Sequence, residues 1–172
     1  LNNEQVAVSM PFAFLFDELM KGGGVGFSVT DDNINQIPSV DHKINLSIVI
    51  DKSSASYDES ISAGAYDRND IKKPLQENEI YYQLPDTREG WVLAVAQLID
   101  LHFKNTNQNN VNKLILDMTN IRPRGAKIHG FGGTASGPTP LIEMLQDVNE
   151  VLNAKDGTNL SAIDCTDICN LI

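Results

Sequence analysis

Cysteine, positive charge and long apolar runs are what this sequence has least of. Its 172 residues hold two cysteines, Cys165 and Cys169. A helix would place two thiols four residues apart on one face, and no histidine lies nearby to complete a metal site. The pair reads as ordinary thiols in a reducing compartment, and no metal site is expected. Lysine and arginine number 13 against 23 acidic residues, a formal net charge of −10. Such a field repels polyanions, which excludes direct nucleic-acid binding and adsorption to anionic membranes. No apolar run approaches the roughly 20 residues needed to cross a bilayer. The start of the chain lacks the basic flank and apolar stretch of a secretion signal, so the expected setting is cytoplasmic. No period of 20–50 residues repeats, which sets solenoids aside.

What is present alternates between helical and extended patterns. SMPFAFLFDELMKGGG predicts a helix capped by Ser9, with Pro11 in its first turn and Gly22–Gly24 ending it. VGFSV (25–29) and INLSIVI (44–50) predict strands, the first short and buried. Residues 51–78 are polar and carry no firm assignment, whereas EIYYQL (79–84) is expected to be extended. Asp86 with Glu89 resembles a capping box, and Trp91, Val92, Val95, Leu98, Ile99 and Phe103 follow at helical spacing. KLILD (113–117) predicts another buried strand. Thr139 is a candidate cap for a helix with Pro140 at its first position, facing Leu141, Ile142, Leu145, Val148, Val151 and Leu152 inward until Gly157. Ser161 with Asp164 announces a last helix. The interleaving favours an α/β fold. The chain opens LNNEQ, without methionine, and closes DICNLI inside an apolar helical pattern, so a piece of a larger protein is expected.

The chemistry concentrates in RPRGAKIHGFGGTASGPTP (122–140). Arg122, Arg124 and Lys127 put three of the 13 cations within six positions. Gly130, Gly132, Gly133 and Gly137 leave backbone N–H groups uncovered, and a helix start follows. An anion such as phosphate is the natural occupant; a solvated basic turn is the competing reading. The stretch is neither a Walker loop nor a G-x-G-x-x-G dinucleotide fingerprint. KGGGVGFSV reads as a helix stop against a strand. Asp17, Glu18, Asp31 and Asp32 read as solvated, His42, His102 and His129 as scattered, and His102 as a surface residue.

FLFDELMKGGGVGFSV, DTREGWVLAVAQLIDLHF, IRPRGAKIHGFGGTASGPTPLIEMLQDVNEVLN and AIDCTDICNLI together resemble the adenosylcobalamin-dependent (class II) ribonucleotide reductases, in particular the monomeric ribonucleoside-triphosphate type. The resemblance covers nearly the whole chain and is densest at 12–29 and 84–172. It implies part of a ten-stranded α/β barrel with an inserted helical subdomain: barrel helix and strand at 1–30, an insertion that imitates a missing partner subunit at 31–112, and barrel strand, effector loop and helices at 113–172. It also implies a reductase that makes deoxyribonucleotides through a cobalamin-generated cysteine thiyl radical, with a thioredoxin-like reductant. The catalytic cysteines and the adenosylcobalamin-binding residues are expected outside this segment, so no catalytic residue is assigned here. By matching the loop, contact with a dNTP specificity effector is carried to Arg122, then Arg124, Lys127, Gly132 and Gly133. A stand-alone phosphate-binding module, an inert structural fragment and a glycyl-radical enzyme are the alternatives.

Overall fold

Aliphatic and β-branched runs become the centre of a parallel sheet. The computed structural model describes residues 7–71, 74–103, 111–128 and 132–172. Its strands are β1 (Asn45–Ile50), β2 (Tyr66–Asp67), β3 (Glu79–Gln83) and β4 (Lys113–Asp117), in the spatial order β2-β1-β4-β3 and all parallel. Asn45 and Glu79 both stand opposite Lys113, and Val49 and Gln83 both stand opposite Asp117. The two central strands are sealed on both faces: Ile48, Val49, Ile50, Leu114, Ile115 and Leu116 are all buried. That is why they read as continuous apolar runs rather than alternating ones. Each such side chain contributes roughly 1.5–3 kcal/mol through burial.

The described residues also form six α-helices: α1 (Met10–Met20), α2 (Asp31–Ile34), α3 (Tyr57–Ser62), α4 (Arg88–Leu101), α5 (Thr139–Asn153) and α6 (Ala162–Leu171). α4 joins β3 to β4, α1 packs on α4, and α5 packs on α4, α6 and β1. Phe12 and Phe16 of α1, Val95, Leu98 and Ile99 of α4, and Leu141, Leu145 and Val148 of α5 share one core.

Several expectations need correction. Residues 31–112, expected as an inserted helical subdomain, contribute three of the four strands found among the described residues. The sheet draws on both sides of residue 112, because β4 lies between β1 and β3. Among the described residues the sheet has four strands. VGFSV forms no strand: residues 23–30 are irregular, Phe27 is exposed, and no described segment offers them a ladder. Three of the four assigned helix caps behave differently from expectation. Ser9 precedes α1 but does not cap it; its N–H and hydroxyl donate to Asp100 at 2.9 and 2.7 Å, tying α1 to α4. Thr87, not Asp86, caps α4 by accepting from the Gly90 N–H at 3.0 Å. Thr139 lies inside the first turn of α5 and makes no capping bond. Ser161 and Asp164 do form the predicted capping box of α6.

His102 is fully buried, not on the surface. Its Nδ1 lies 2.8 Å from the Leu98 carbonyl oxygen and its Nε2 lies 3.2 Å from Asn153 Oδ1. Burial depresses its pKa, which favours the neutral ring.

Candidate functional site

β4 delivers the chain into the basic segment through a short polar turn. Asp117, at the end of β4, accepts from the Thr119 N–H at 2.9 Å, and the Ile121 N–H donates to the Met118 carbonyl at 3.0 Å. Ile121 is buried, so the following residue is turned outward. The segment then doubles back as a small hairpin. Gly125 donates to the Ala135 carbonyl, Ala135 to that of Ala126 and Ile128 to that of Gly133, at 2.9, 2.8 and 3.2 Å. Lys127 bridges Thr134 in antiparallel fashion. His129, Gly130 and Phe131 lie outside the described residues.

The glycines here serve backbone geometry before anything else. Gly137 has φ +76°, and a Cβ placed on it would stand 2.9 Å from Glu59 Oε1 and 3.0 Å from the Arg124 nitrogen. A side chain at this position would be strained twice over, by conformation and by contact.

Beside the hairpin is an open cleft of about 540 Å³. Arg122, Gly132 and Gly137 reach it from the elbow, Asp86, Arg88 and Trp91 from the start of α4, and Met20 from the end of α1. Arg122 Nε donates to Asp86 Oδ2 at 2.5 Å. Its Nη1 and Nη2 make long contacts with the Lys127 and Asp86 carbonyls, at 3.4 and 3.5 Å. Arg88 is held in turn by Asp17 at 2.5 Å and Glu89 at 2.7 Å. A hydrogen bond from Lys21, reinforced by Arg88, lowers the Asp17 pKa. The cleft thus carries two guanidiniums, each anchored by carboxylates and each partly open to solvent.

Of the residues expected to contact an anion, Arg122 and Gly132 meet in this cleft. Arg124 faces a neighbouring cleft of about 630 Å³, with Glu59, Ser62, Thr139 and Glu143. Lys127 presents its carbonyl, not its ammonium, to Arg122, and the Gly133 carbonyl closes the hairpin. Sequence reasoning missed Arg88 as a cleft residue and read Trp91 only as part of the inward stripe. The available signal was their place in the first turn of a helix that follows a strand's carboxyl end, where ligands gather in open α/β sheets.

A second charged group also escaped the sequence reading. At the carboxyl ends of the strands, Arg68 reaches Asp51 at 2.6 Å and Asp117 at 3.5 Å. The Tyr81 hydroxyl and the Thr119 hydroxyl both donate to Asp117. Burial, then Asp117 itself, pushes the Tyr81 pKa up to about 12. With Asp117 fully buried and surrounded by donors, this network is closed. It binds the ends of three strands together and offers no vacant acceptor.

The thiols are inert by the same physics. Both are free; burial pushes Cys165 up to about 11 and raises Cys169, so neither is a thiolate near neutral pH. Among the described residues, no group of three or more His, Cys, Asp or Glu could hold a metal ion, and no helix is long and apolar enough to cross a membrane.

Comparison with known proteins is consistent across the chain. Residues 44–152 match the family model of the B12-dependent ribonucleotide reductase insertion domain, a span that takes in the whole sheet, the elbow and most of α5. The adenosylcobalamin-dependent ribonucleoside-triphosphate reductase of Lactobacillus gasseri is 67% identical over the whole chain, which spans 23% of that protein's length. Those of Lactobacillus leichmannii and Levilactobacillus brevis are 63% and 55% identical, again over 23% of their lengths. A crystal structure of a B-12 dependent (class II) ribonucleotide reductase superimposes with a TM-score of 0.93 at 63% identity, over 99% of this chain and 24% of that one. The chain belongs to the B12-dependent ribonucleotide reductase family and carries its insertion domain.

Proposed function

We propose that this chain is the insertion-domain region of an adenosylcobalamin-dependent ribonucleoside-triphosphate reductase, and that the Arg122 cleft holds the deoxynucleoside triphosphate that sets which base is reduced. The observation that carries the reading is the convergence of Arg122, Arg88 and Gly132 on one open cleft of about 540 Å³. That volume is in the range of small-molecule sites. Guanidinium forks suit phosphate oxygens, and a backbone bare of side chains lets them approach closely. In an otherwise acidic chain, a localised cationic cleft selects an anion of compact charge.

The complete reductase would supply the remainder of a ten-stranded barrel, the thiyl radical chemistry on ribonucleoside triphosphates, and the docking of a thioredoxin-like reductant. The exposed side chains Met10, Phe14 and Leu19 of α1 and Phe27 after it fit a surface that such a barrel would cover. Adenosylcobalamin is expected to bind elsewhere in the complete reductase, since the cleft's arginines and glycine suit phosphate. No residue of this chain is assigned to it.

The test is calorimetry of dNTP binding to the full-length reductase that carries this segment. Arg122→Ala should weaken binding roughly ten- to a hundredfold, the worth of one or two charge-assisted hydrogen bonds. Equal affinity in mutant and parent would remove the assignment.

A further inference from the structure

The cleft contains more than an anion site requires. Besides its two guanidiniums it is lined by Met20, Trp91, Ile121 and Ile128. Four large apolar side chains add nothing to phosphate binding and desolvate any charge placed near them. They do suit the flat, weakly polar face of an aromatic ring. Trp91 is the chain's one tryptophan, and it is only half-buried, so part of its indole remains available at the cleft wall.

Its position is fixed with unusual firmness for a first-turn residue. The preceding Gly90 packs so closely on Pro85 that a Cβ there would stand 2.6 Å from Pro85 Cγ and 2.7 Å from its carbonyl oxygen. Thr87 caps the Gly90 N–H at 3.0 Å, and the Trp91 N–H bonds the Thr87 carbonyl at 3.2 Å. Arg88, on the same turn, is clamped to α1 through Asp17. The first turn of α4 is therefore immobilised on both sides of the indole. A rigid aromatic wall beside anchored cations is what stacking a base while gripping its phosphates requires.

We infer that Trp91 is the nucleobase platform of this cleft: the ligand's base stacks on the indole while its phosphates engage Arg122, and Trp91 contributes to the ranking of bases. This rests on the nucleotide reading above and deepens it. Stacking is tolerant of base identity but grows with ring area, so purine nucleotides gain more from the indole than pyrimidine ones.

The experiment compares dATP, dTTP and inorganic tripolyphosphate as ligands of the full-length reductase by calorimetry, in the parent and in Trp91→Leu, Trp91→Phe and Arg122→Ala. Trp91→Leu should weaken dATP roughly tenfold or more, dTTP less, and leave tripolyphosphate unchanged. Trp91→Phe should restore part of the loss, since a smaller ring still stacks. Unchanged dNTP affinities in Trp91→Leu would overturn the platform, as would an equal loss for all three ligands, which would mark the indole as scaffold alone. The nucleotide reading fails separately. It falls if Arg122→Ala binds dATP and tripolyphosphate like the parent, or if the parent binds neither, and in the second case the platform falls with it.

Discussion

Two arginines in this protein make nearly the same bond and serve opposite ends. Arg68 holds Asp51 at 2.6 Å and Arg122 holds Asp86 at 2.5 Å, and the two side chains are 34% and 35% exposed. The difference lies in the acceptors. Arg68 also leans on Asp117, which is fully buried and bonded to Tyr81 and Thr119 as well. Asp86 is 28% exposed, and its partner stands at the wall of an open cleft. A carboxylate whose oxygens are all engaged fixes structure; one at the rim of a cavity leaves its cation able to change partners. Ion-pair distance alone distinguishes nothing here, whereas the burial of the anion does.

The strongest test of that contrast is to remove the buried anion. Asp117→Ala leaves the Tyr81 hydroxyl and the Thr119 N–H without their acceptor, and Arg68 with only Asp51. Each buried donor left unsatisfied costs about 1–3 kcal/mol, so the loss should be at least about 3 kcal/mol by denaturant unfolding. The same variant should bring the Tyr81 pKa down from about 12, readable by ultraviolet titration of tyrosine. A loss below about 1 kcal/mol would make the two arginines equivalent. Next in size is the elbow's backbone. Gly137→Ala combines a left-handed residue with overpacking against Glu59 and the Arg124 nitrogen, and should cost about 2 kcal/mol or more. Gly125, at φ +84° with nothing within 4 Å of its missing Cβ, is the control that carries only the conformational part. If both glycines respond alike, close contact at Gly137 plays no part in shaping the cleft.

What the sequence revealed follows the physics of each region. β1 and β4 were legible because strands buried on both faces are written as unbroken aliphatic runs, and β3, a half-buried edge strand, was legible from its Ile80-Tyr81-Tyr82 core of strand-forming residues. β2 was not, since its two residues pair only through β1 and carry no pattern of their own. α4 and α5 were legible from their apolar stripes, yet their caps were misplaced by one residue because Asp86–Thr87 and Pro138–Thr139 both offer plausible starts. Asp86 is drawn away by Arg122, a long-range partner that local capping rules do not see. The same cause hid His102, whose buried ring meets Asn153, 51 residues further on. Arg122 was singled out because charge and glycine cluster around it in sequence. Arg88 and Trp91 were not, because the cleft assembles them from α4, 34 and 31 residues before Arg122, against the elbow. Arg124 lies apart from Arg122 for the complementary reason: two residues of chain are enough to turn a side chain into the neighbouring cleft.

The smallest expected effect is also the one that best separates the two arginines. Arg122→Met keeps most of the aliphatic stem that packs at the cleft wall and removes only the guanidinium. Because the pair with Asp86 is solvent-accessible on both sides, the fold should lose no more than about 1 kcal/mol. Raising the salt concentration should shrink even that difference, since exposed charges are screened. Asp86 is left beside solvent rather than sealed in protein, so water can take the place of its lost partner. Arg68→Met, run in parallel, strips a cation from the buried Asp117 and should cost clearly more, with little response to salt. If instead Arg122→Met destabilises the protein as much as Arg68→Met does, the elbow arginine is a structural brace like its counterpart. The cleft would then have no guanidinium free to exchange Asp86 for a phosphate.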